Sequence, residues 1–234
     1  MTAKQRNYNR RYPEEYGFFR TLFYMCFLCG VVIPFMKIFY TYEITGKENL
    51  PTKAKSGKFI YTANHVSIFD PPMVSMAAMR PIAYMAKKEL FVDGEKLSWL
   101  VKRLGAFAVD RTKPEIATFK TVRDILATSW SLGVFPQGGI RPYGKLDEIK
   151  KGFVVIAKNA KADIVPVGIE GFDGYPKLKP FTRRNVRLRI GKPISYKLPE
   201  DVIIYEWCRQ IAELAGYENC MPRPEGYEPE KTAV

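Results

Sequence analysis

Short apolar runs rich in β-branched and aromatic residues alternate along this chain with stretches of helical character, and no other feature narrows its fold so far. The strand-like runs are Lys58–Ala63, Ile82–Ala86, Ala106–Asp110, Gly133–Phe135, Ile164–Ile169 and Val186–Ile190. Between and after them lie the helical stretches Pro72–Met79, Lys96–Leu104, Glu115–Ser129, Lys151–Ala160 and Asp201–Ala215. This alternation predicts an α/β domain whose mostly parallel or mixed sheet is flanked by helices. At 234 residues the chain has material for one such domain with a proper core, and too little for two of ordinary size. No internal repeat or low-complexity linker interrupts it, and the stretch from Tyr217, rich in Pro and Glu, is expected to be loosely ordered.

Residues Thr21 to Met36 carry no charge and are flanked by Arg20 and Lys37. The run is shorter than the ~20 residues a spanning helix needs, and Pro34 falls near its end. A secretory signal peptide is a poor match, because no small-residue cleavage site follows. Lys4, Arg6, Arg10 and Arg11 precede the run, and Lys37, Lys47, Lys53, Lys55 and Lys58 follow it. Cations on both sides are the pattern expected when both ends stay on the cytoplasmic face of the cell membrane. The expectation is a helix or helix pair embedded in one leaflet, monotopic or peripheral, with a buried soluble helix as the alternative. The chain then divides into a basic arm with a membrane-associated helical segment (1–45), a catalytic domain (46–216) and a tail (217–234).

The formal net charge of +13 calls for an anionic partner. Anionic membrane lipid fits better than nucleic acid, because no helix-turn-helix, zinc-finger or RNA-binding sheet motif accompanies the basic residues. Cys26 and Cys29 have CxxC spacing but sit inside the apolar run, where a zinc site or redox pair would lack histidine, charge and water. No metal site and no disulfide framework are expected.

The one histidine, His65, lies between a strand-like run and a helical one, with Asp70 five residues downstream. Neutral imidazole accepts a proton at physiological pH, and a carboxylate on its other ring nitrogen fixes the tautomer and stabilises the imidazolium. Asp70 before Pro71-Pro72 also has the look of a helix N-cap, and the two roles are compatible, one oxygen for each. Loops at the carboxyl ends of strands in α/β folds are where ligands bind. Arg111 falls at such an end, and so does Phe135-Pro136-Gln137-Gly138-Gly139-Ile140-Arg141, a strand followed by glycines and arginine. Glycines let the backbone approach an anion closely, and arginine grips phosphate through paired charge-assisted bonds. Pro166 in the buried run Ile164–Gly168 cannot donate to a ladder, which suggests a sheet edge, a break where something such as an acyl chain packs, or equally an ordinary strand end.

In their order, these blocks resemble a known family. Asn64-His65-x-Ser67-x-x-Asp70, Gly105-x-Phe107-x-x-x-Arg111, Phe135-Pro136-x-Gly138-x-x-Arg141 and Val165-Pro166-Val167 are similar to the motifs of the lysophosphatidic acid acyltransferases. The likeness runs from about Lys47 to about Pro193, and takes in Met85–Leu90 and Lys150-Lys151-Gly152. It implies a glycerolphosphate acyltransferase-like fold and transfer of a fatty acyl group from acyl-CoA or acyl-carrier protein to the sn-2 hydroxyl of lysophosphatidic acid, giving phosphatidic acid. These thioesters are co-substrates, and no further cofactor is implied. The resemblance makes His65 the general base and Asp70 its orienting partner. It assigns Arg111, Gly138 and Arg141 to the acceptor's phosphate, and Val165 and Pro166 to the acyl-binding region. Asn64, Ser67, Gly105, Phe135, Pro136 and Gln137 complete the implied substrate-binding set.

One position departs from the family, whose third block reads Phe-Pro-Glu-Gly where this chain has Gln137. Glutamine keeps an acceptor, loses the charge and gains donors. Action on a different lysolipid, or a catalytically weak lipid-binding protein of the same fold, therefore stays open as an alternative. Ser67 as a covalent nucleophile is disfavoured against a loop-bonding role, since the chain has no GxSxG elbow. Backbone N–H groups at the helix start near Pro72 are one option for the oxyanion, although Pro71 and Pro72 offer none themselves, and the sequence does not name the donors.

Overall fold

The computed structural model describes residues 9–51, 59–92, 98–109, 116–172 and 184–229. Its strands are β1 (Tyr40–Thr45), β2 (Phe59–Ala63), β3 (Ile82–Lys87), β4 (Phe107–Val109), β5 (Ser131–Val134), β6 (Lys145–Leu146), β7 (Asp163–Glu170), β8 (Arg184–Ile190) and β9 (Glu218–Asn219). A 7-stranded sheet has the order β1-β8-β7-β2-β5-β3-β4, and β6 pairs with β9 apart from it. From β7 to β4 all neighbours are parallel, β8 runs antiparallel to β7, and β1 is parallel to β8. The sheet is mixed, and the parallel strands send their carboxyl ends to one edge.

The helices are α1 (Phe18–Phe27), α2 (Ile33–Phe39), α3 (Asp70–Ala78), α4 (Ser98–Arg103), α5 (Ile116–Leu126), α6 (Gly152–Ala160) and α7 (Glu200–Ala215). They cover both faces, which is why the central strands are apolar throughout rather than alternating. In β2, Ile60 points to a core shared with Ile125 of α5, Phe153 of α6 and Trp207 of α7. Phe59, Tyr61 and Ala63 point the other way, to Met73 and Met76 of α3 and to Leu28 and Met36. Each fully buried side chain of this size contributes about 1.5–3 kcal/mol. The Trp207 indole N–H also donates to Thr62 Oγ1 at 2.8 Å, pinning α7 to β2.

α1, a π turn (Leu28–Val32) and α2 make one unbroken helix, Phe18–Phe39, long and apolar enough to cross a membrane. The π turn lies just before Pro34, where the regular ladder loses a donor. Only 17% of the helix's most apolar window is buried. Tyr24, Leu28 and Met36 pack on the domain, whereas Phe18, Phe19, Leu22, Val31 and Ile38 are exposed. The helix therefore lies along the domain rather than standing off it.

Three features differ from expectation. β1 was not foreseen, although Tyr40–Thr45 alternates in burial as an edge strand does; its signal adjoins the apolar run, and the backbone turns from helical to extended only at Tyr40. Pro166 lies in an interior strand, and the break it marks is in the β8 ladder. Pairing with β8 runs from Glu170 down to Val167, after which the Gly191 N–H reaches the Pro166 carbonyl at 2.8 Å and the chain loops out to the Ile164–Ile194 bridge. The missing proline donor falls where the ladder opens. Finally, Tyr217 is buried against Tyr143, with ring centroids 4.6 Å apart, and β9 follows it, so the start of the tail is packed.

Candidate active site

β2 ends at Ala63 and α3 begins at Asp70, so His65 stands in the connecting loop at the carboxyl edge of the sheet. Asp70 is not the N-cap; that position is Phe69, and the aspartate turns back over the loop it follows. One oxygen does all the work, not one for each role. Oδ2 accepts from the Val66 N–H at 2.7 Å, the Ser67 N–H at 2.8 Å and His65 Nδ1 at 2.8 Å, while Oδ1 is buried with no partner among the described residues. A carboxylate only accepts, so the proton in the ring contact belongs to Nδ1 and the lone pair of Nε2 is left free. The His65 side chain keeps 13% exposure and Asp70 none. Burial pushes the Asp70 carboxyl above its ordinary value, and the His65 hydrogen bond and charge, with the Ser67 and Val66 N–H groups, pull it back.

The imidazole plane is held by aromatic stacking. Phe135 lies on His65 with centroids 4.1 Å apart and planes at 20°, and Tyr84 lies beyond Phe135 at 5.9 Å and 17°. Gly133 makes room for this column, since a Cβ there would come within 2.3 Å of the Tyr84 ring. The Tyr84 hydroxyl donates to the Pro71 carbonyl at 2.7 Å and meets Ser75 Oγ, which Tyr24 of α1 also reaches at 2.6 Å. Phe69 stacks on Phe35 of α2 at 6.1 Å and 8°. The apolar helix thus touches the loop directly. Tyr84 and Phe69 were not foreseen; an aromatic residue within the motif was the only available signal for Phe69.

The turn after β5 is stitched to His65 by both backbone groups. Gln137 Oε1 accepts the His65 N–H at 2.7 Å, and the Arg141 N–H donates to the His65 carbonyl at 2.8 Å. Gly138, at φ +71°, closes the turn, with its N–H on the Phe135 carbonyl, and the Lys150 N–H donates to the Pro136 carbonyl. The Arg141 guanidinium pairs with Glu148 at 3.1 Å, both side chains well exposed. Such a pair is worth little, so the cation can be given up to a bound anion. Arg111 lies outside the described residues; β4, which leads to it, ends on the same edge.

The other residues of the expected set have partners within the fold. Asn64 is buried and closes the β2–β7 pairing, its amide donating to the Ile169 carbonyl and accepting the Ile169 N–H, each at 2.8 Å. Ser67 Oγ accepts the Phe69 N–H at 3.3 Å, a bond within the loop. Gly105, at φ +79°, stands before β4 at the opposite edge of the sheet, where a Cβ would meet Trp130 at 2.7 Å. Val165 and Pro166 lie inside β7, opposite Tyr61 and Thr62. The helix-start N–H groups near Pro72 are occupied, those of Val66 and Ser67 by Asp70, Asp70's by the Ser67 carbonyl and Met73's by the Phe69 carbonyl. They do not form an oxyanion site. Among the described residues no group of three or more His, Cys, Asp or Glu side chains could hold a metal ion.

The chain is thus a mixed α/β domain flanked by helices, with a His–Asp pair at the carboxyl edge of its parallel strands. Residues 41–170, more than half of the chain, match the family model described as Acyltransferase. A 1-acyl-sn-glycerol-3-phosphate acyltransferase of Bacillus subtilis is 33% identical over 153 residues, covering 65% of this chain and 73% of the relative. One from Streptococcus pneumoniae is 33% identical over 140 residues, 58% of this chain and 50% of the relative. The crystal structure of the 1-acyl-sn-glycerophosphate (LPA) acyltransferase PlsC from Thermotoga maritima superposes with a TM-score of 0.61 at 24% identity, over 83% of this chain and 79% of that one. The chain belongs to the Acyltransferase family.

Proposed function

We propose that this enzyme moves a fatty acyl group from an acyl thioester, acyl-CoA or acyl-carrier protein, to the free sn-2 hydroxyl of lysophosphatidic acid, giving phosphatidic acid. The observation that carries the reading is the His65 Nδ1 to Asp70 Oδ2 contact, which leaves the proton off Nε2 on a ring that keeps 13% exposure. The names of the Bacillus and Streptococcus relatives support the acceptor; the chain spans 73% and 50% of their lengths. Nε2 takes the hydroxyl proton as the oxygen attacks the thioester carbonyl; the C–S bond breaks, and the imidazolium returns the proton to the leaving thiolate. Asp70 stabilises the imidazolium between these steps. Arg141, beside His65, takes the acceptor phosphate with Arg111. The enzyme lies on the cytoplasmic face of the membrane with helix Phe18–Phe39 sunk lengthwise into one leaflet, which keeps a lysolipid acceptor within reach. The Gln137 acceptor serves a backbone N–H, a task that needs no charge, so its replacement of glutamate is compatible with an active enzyme. Purified protein incubated with labelled acyl-CoA and lysophosphatidic acid should yield labelled phosphatidic acid, and His65→Ala should abolish it without loss of fold. Full turnover by that variant would overturn the base assignment.

A further inference from the structure

We propose that α4 joins the amino-terminal half of α1 in one bilayer-contact surface, anchored at the lipid interface by Trp99. The inference rests on the membrane reading above and goes beyond it, because α4 lies some seventy residues further along the chain than the apolar helix, in a stretch with no apolar run of its own. Trp99 is 65% exposed, and on α1 Phe18 and Phe19 are 73% and 84% exposed. It packs edge-on against Phe23 of α1, with ring centroids 6.2 Å apart and planes at 89°. The Arg103 guanidinium sits 5.4 Å over the other side of this patch, on the Phe23 ring. Arg20 ties the two helices together, donating to the Lys102 carbonyl at 2.8 Å. A hollow of about 290 Å³ opens between Phe19, Phe23 and Arg103.

A soluble domain gains nothing from three uncovered aromatic rings on two helices joined through Phe23, whereas a bilayer interface accommodates them. Indole sits at headgroup depth with its ring toward the acyl chains, and arginine stems lie along apolar surface while their heads reach phosphate. Arg20, Lys102 and Arg103 border the patch. Of the nearby carboxylates, Glu15 is already held by Arg11 at 2.7 Å, and Glu14 is the exposed one. The balance favours an anionic bilayer. At its other end the same helix stacks Phe35 on Phe69 of the His65 loop. The helix that meets lipid beside Trp99 therefore also bears on the His65 loop through the partly buried Phe35.

The chain has three tryptophans, and Trp130 and Trp207 are fully buried, so Trp99 alone can report lipid contact directly. The test is tryptophan emission of the full-length protein with vesicles of phosphatidylglycerol and phosphatidylcholine brominated on the acyl chains. Expected are a blue shift and strong quenching, both lost in Trp99→Phe. Trp99→Ala should weaken vesicle binding by about tenfold, and Arg103→Gln should reduce the preference for phosphatidylglycerol. Protein that co-sediments with vesicles while its Trp99 emission stays unchanged would overturn the role of α4 and leave the apolar helix as the anchor. Failure to co-sediment at all would overturn the membrane reading itself.

Discussion

Replacing Asp70 by asparagine separates the two things this carboxylate does, because the amide keeps the shape and one acceptor but removes the charge. The side-chain oxygen can stay in the Oδ2 position and go on accepting the Val66, Ser67 and His65 donors at 2.7–2.8 Å. The amide nitrogen then falls at the Oδ1 position, which is buried and has no partner among the described residues. An unsatisfied buried donor costs about 1–3 kcal/mol, to which weaker neutral hydrogen bonds add. Asp70→Asn should therefore remain folded but melt earlier in urea by an amount in that range. On the proposed mechanism the imidazolium then loses its counter-ion, and kcat should fall by about 10²–10⁴. The acceptor KM should change little, because the proposed phosphate ligands are the arginines rather than Asp70. Steady-state transfer from labelled acyl-CoA, run beside urea melts, reads both quantities. A kcat close to wild type would show that the charge does not act in the reaction. A raised KM with unchanged kcat would place Asp70 in substrate binding instead.

Two further outcomes bear on neighbouring parts of the molecule. Gln137→Glu keeps the acceptor for the His65 N–H and should keep activity, whereas Gln137→Leu strands that N–H and should cost about 1–3 kcal/mol of stability; a gain of about tenfold in kcat/KM for the glutamate variant, ~1.4 kcal/mol of barrier, would show that the charge itself is used. At alkaline pH, burial pushes the Cys208 thiol from 9.0 to about 12, and burial, opposed by Arg80, pushes the Tyr61 hydroxyl from 10.0 to about 12. The folded protein then keeps protons that the unfolded chain releases, so stability is fully present below pH 9.0 and is lost as pH rises toward 12. Urea midpoints should decline across this window, less steeply in Cys208→Ala, and a flat profile would refute the assignment.

The role of Gln137 shows how a departure from a family pattern is interpreted by geometry. As a sequence position it could be a missing charge at the acceptor. In the structure its oxygen faces a backbone N–H of the His65 loop, and a stitch of this kind asks only for an acceptor. Asn64 and Gly105 teach the same lesson from the other side. Both stand in blocks that suggest substrate contact, yet one closes the pairing of β2 with β7 and the other clears space under Trp130.

Local pattern alone determined the α/β class, the strands β2, β3, β4, β5, β7 and β8 with the helices between and after them, and the apolar run near the amino terminus, because each depends on residues close in sequence. The His65–Asp70 contact was legible for the same reason, since five residues of loop can bring one carboxylate onto one ring nitrogen. Tertiary structure decided the rest. The order β1-β8-β7-β2-β5-β3-β4 brings the β5 turn against a loop seventy residues away, which makes Gln137 a backbone partner and sets the Arg141 backbone beside His65. It also placed Phe35 on Phe69 and Trp99 beside Phe23. Contacts between distant segments depend on strand order and packing, and a local pattern of apolar and polar residues carries neither.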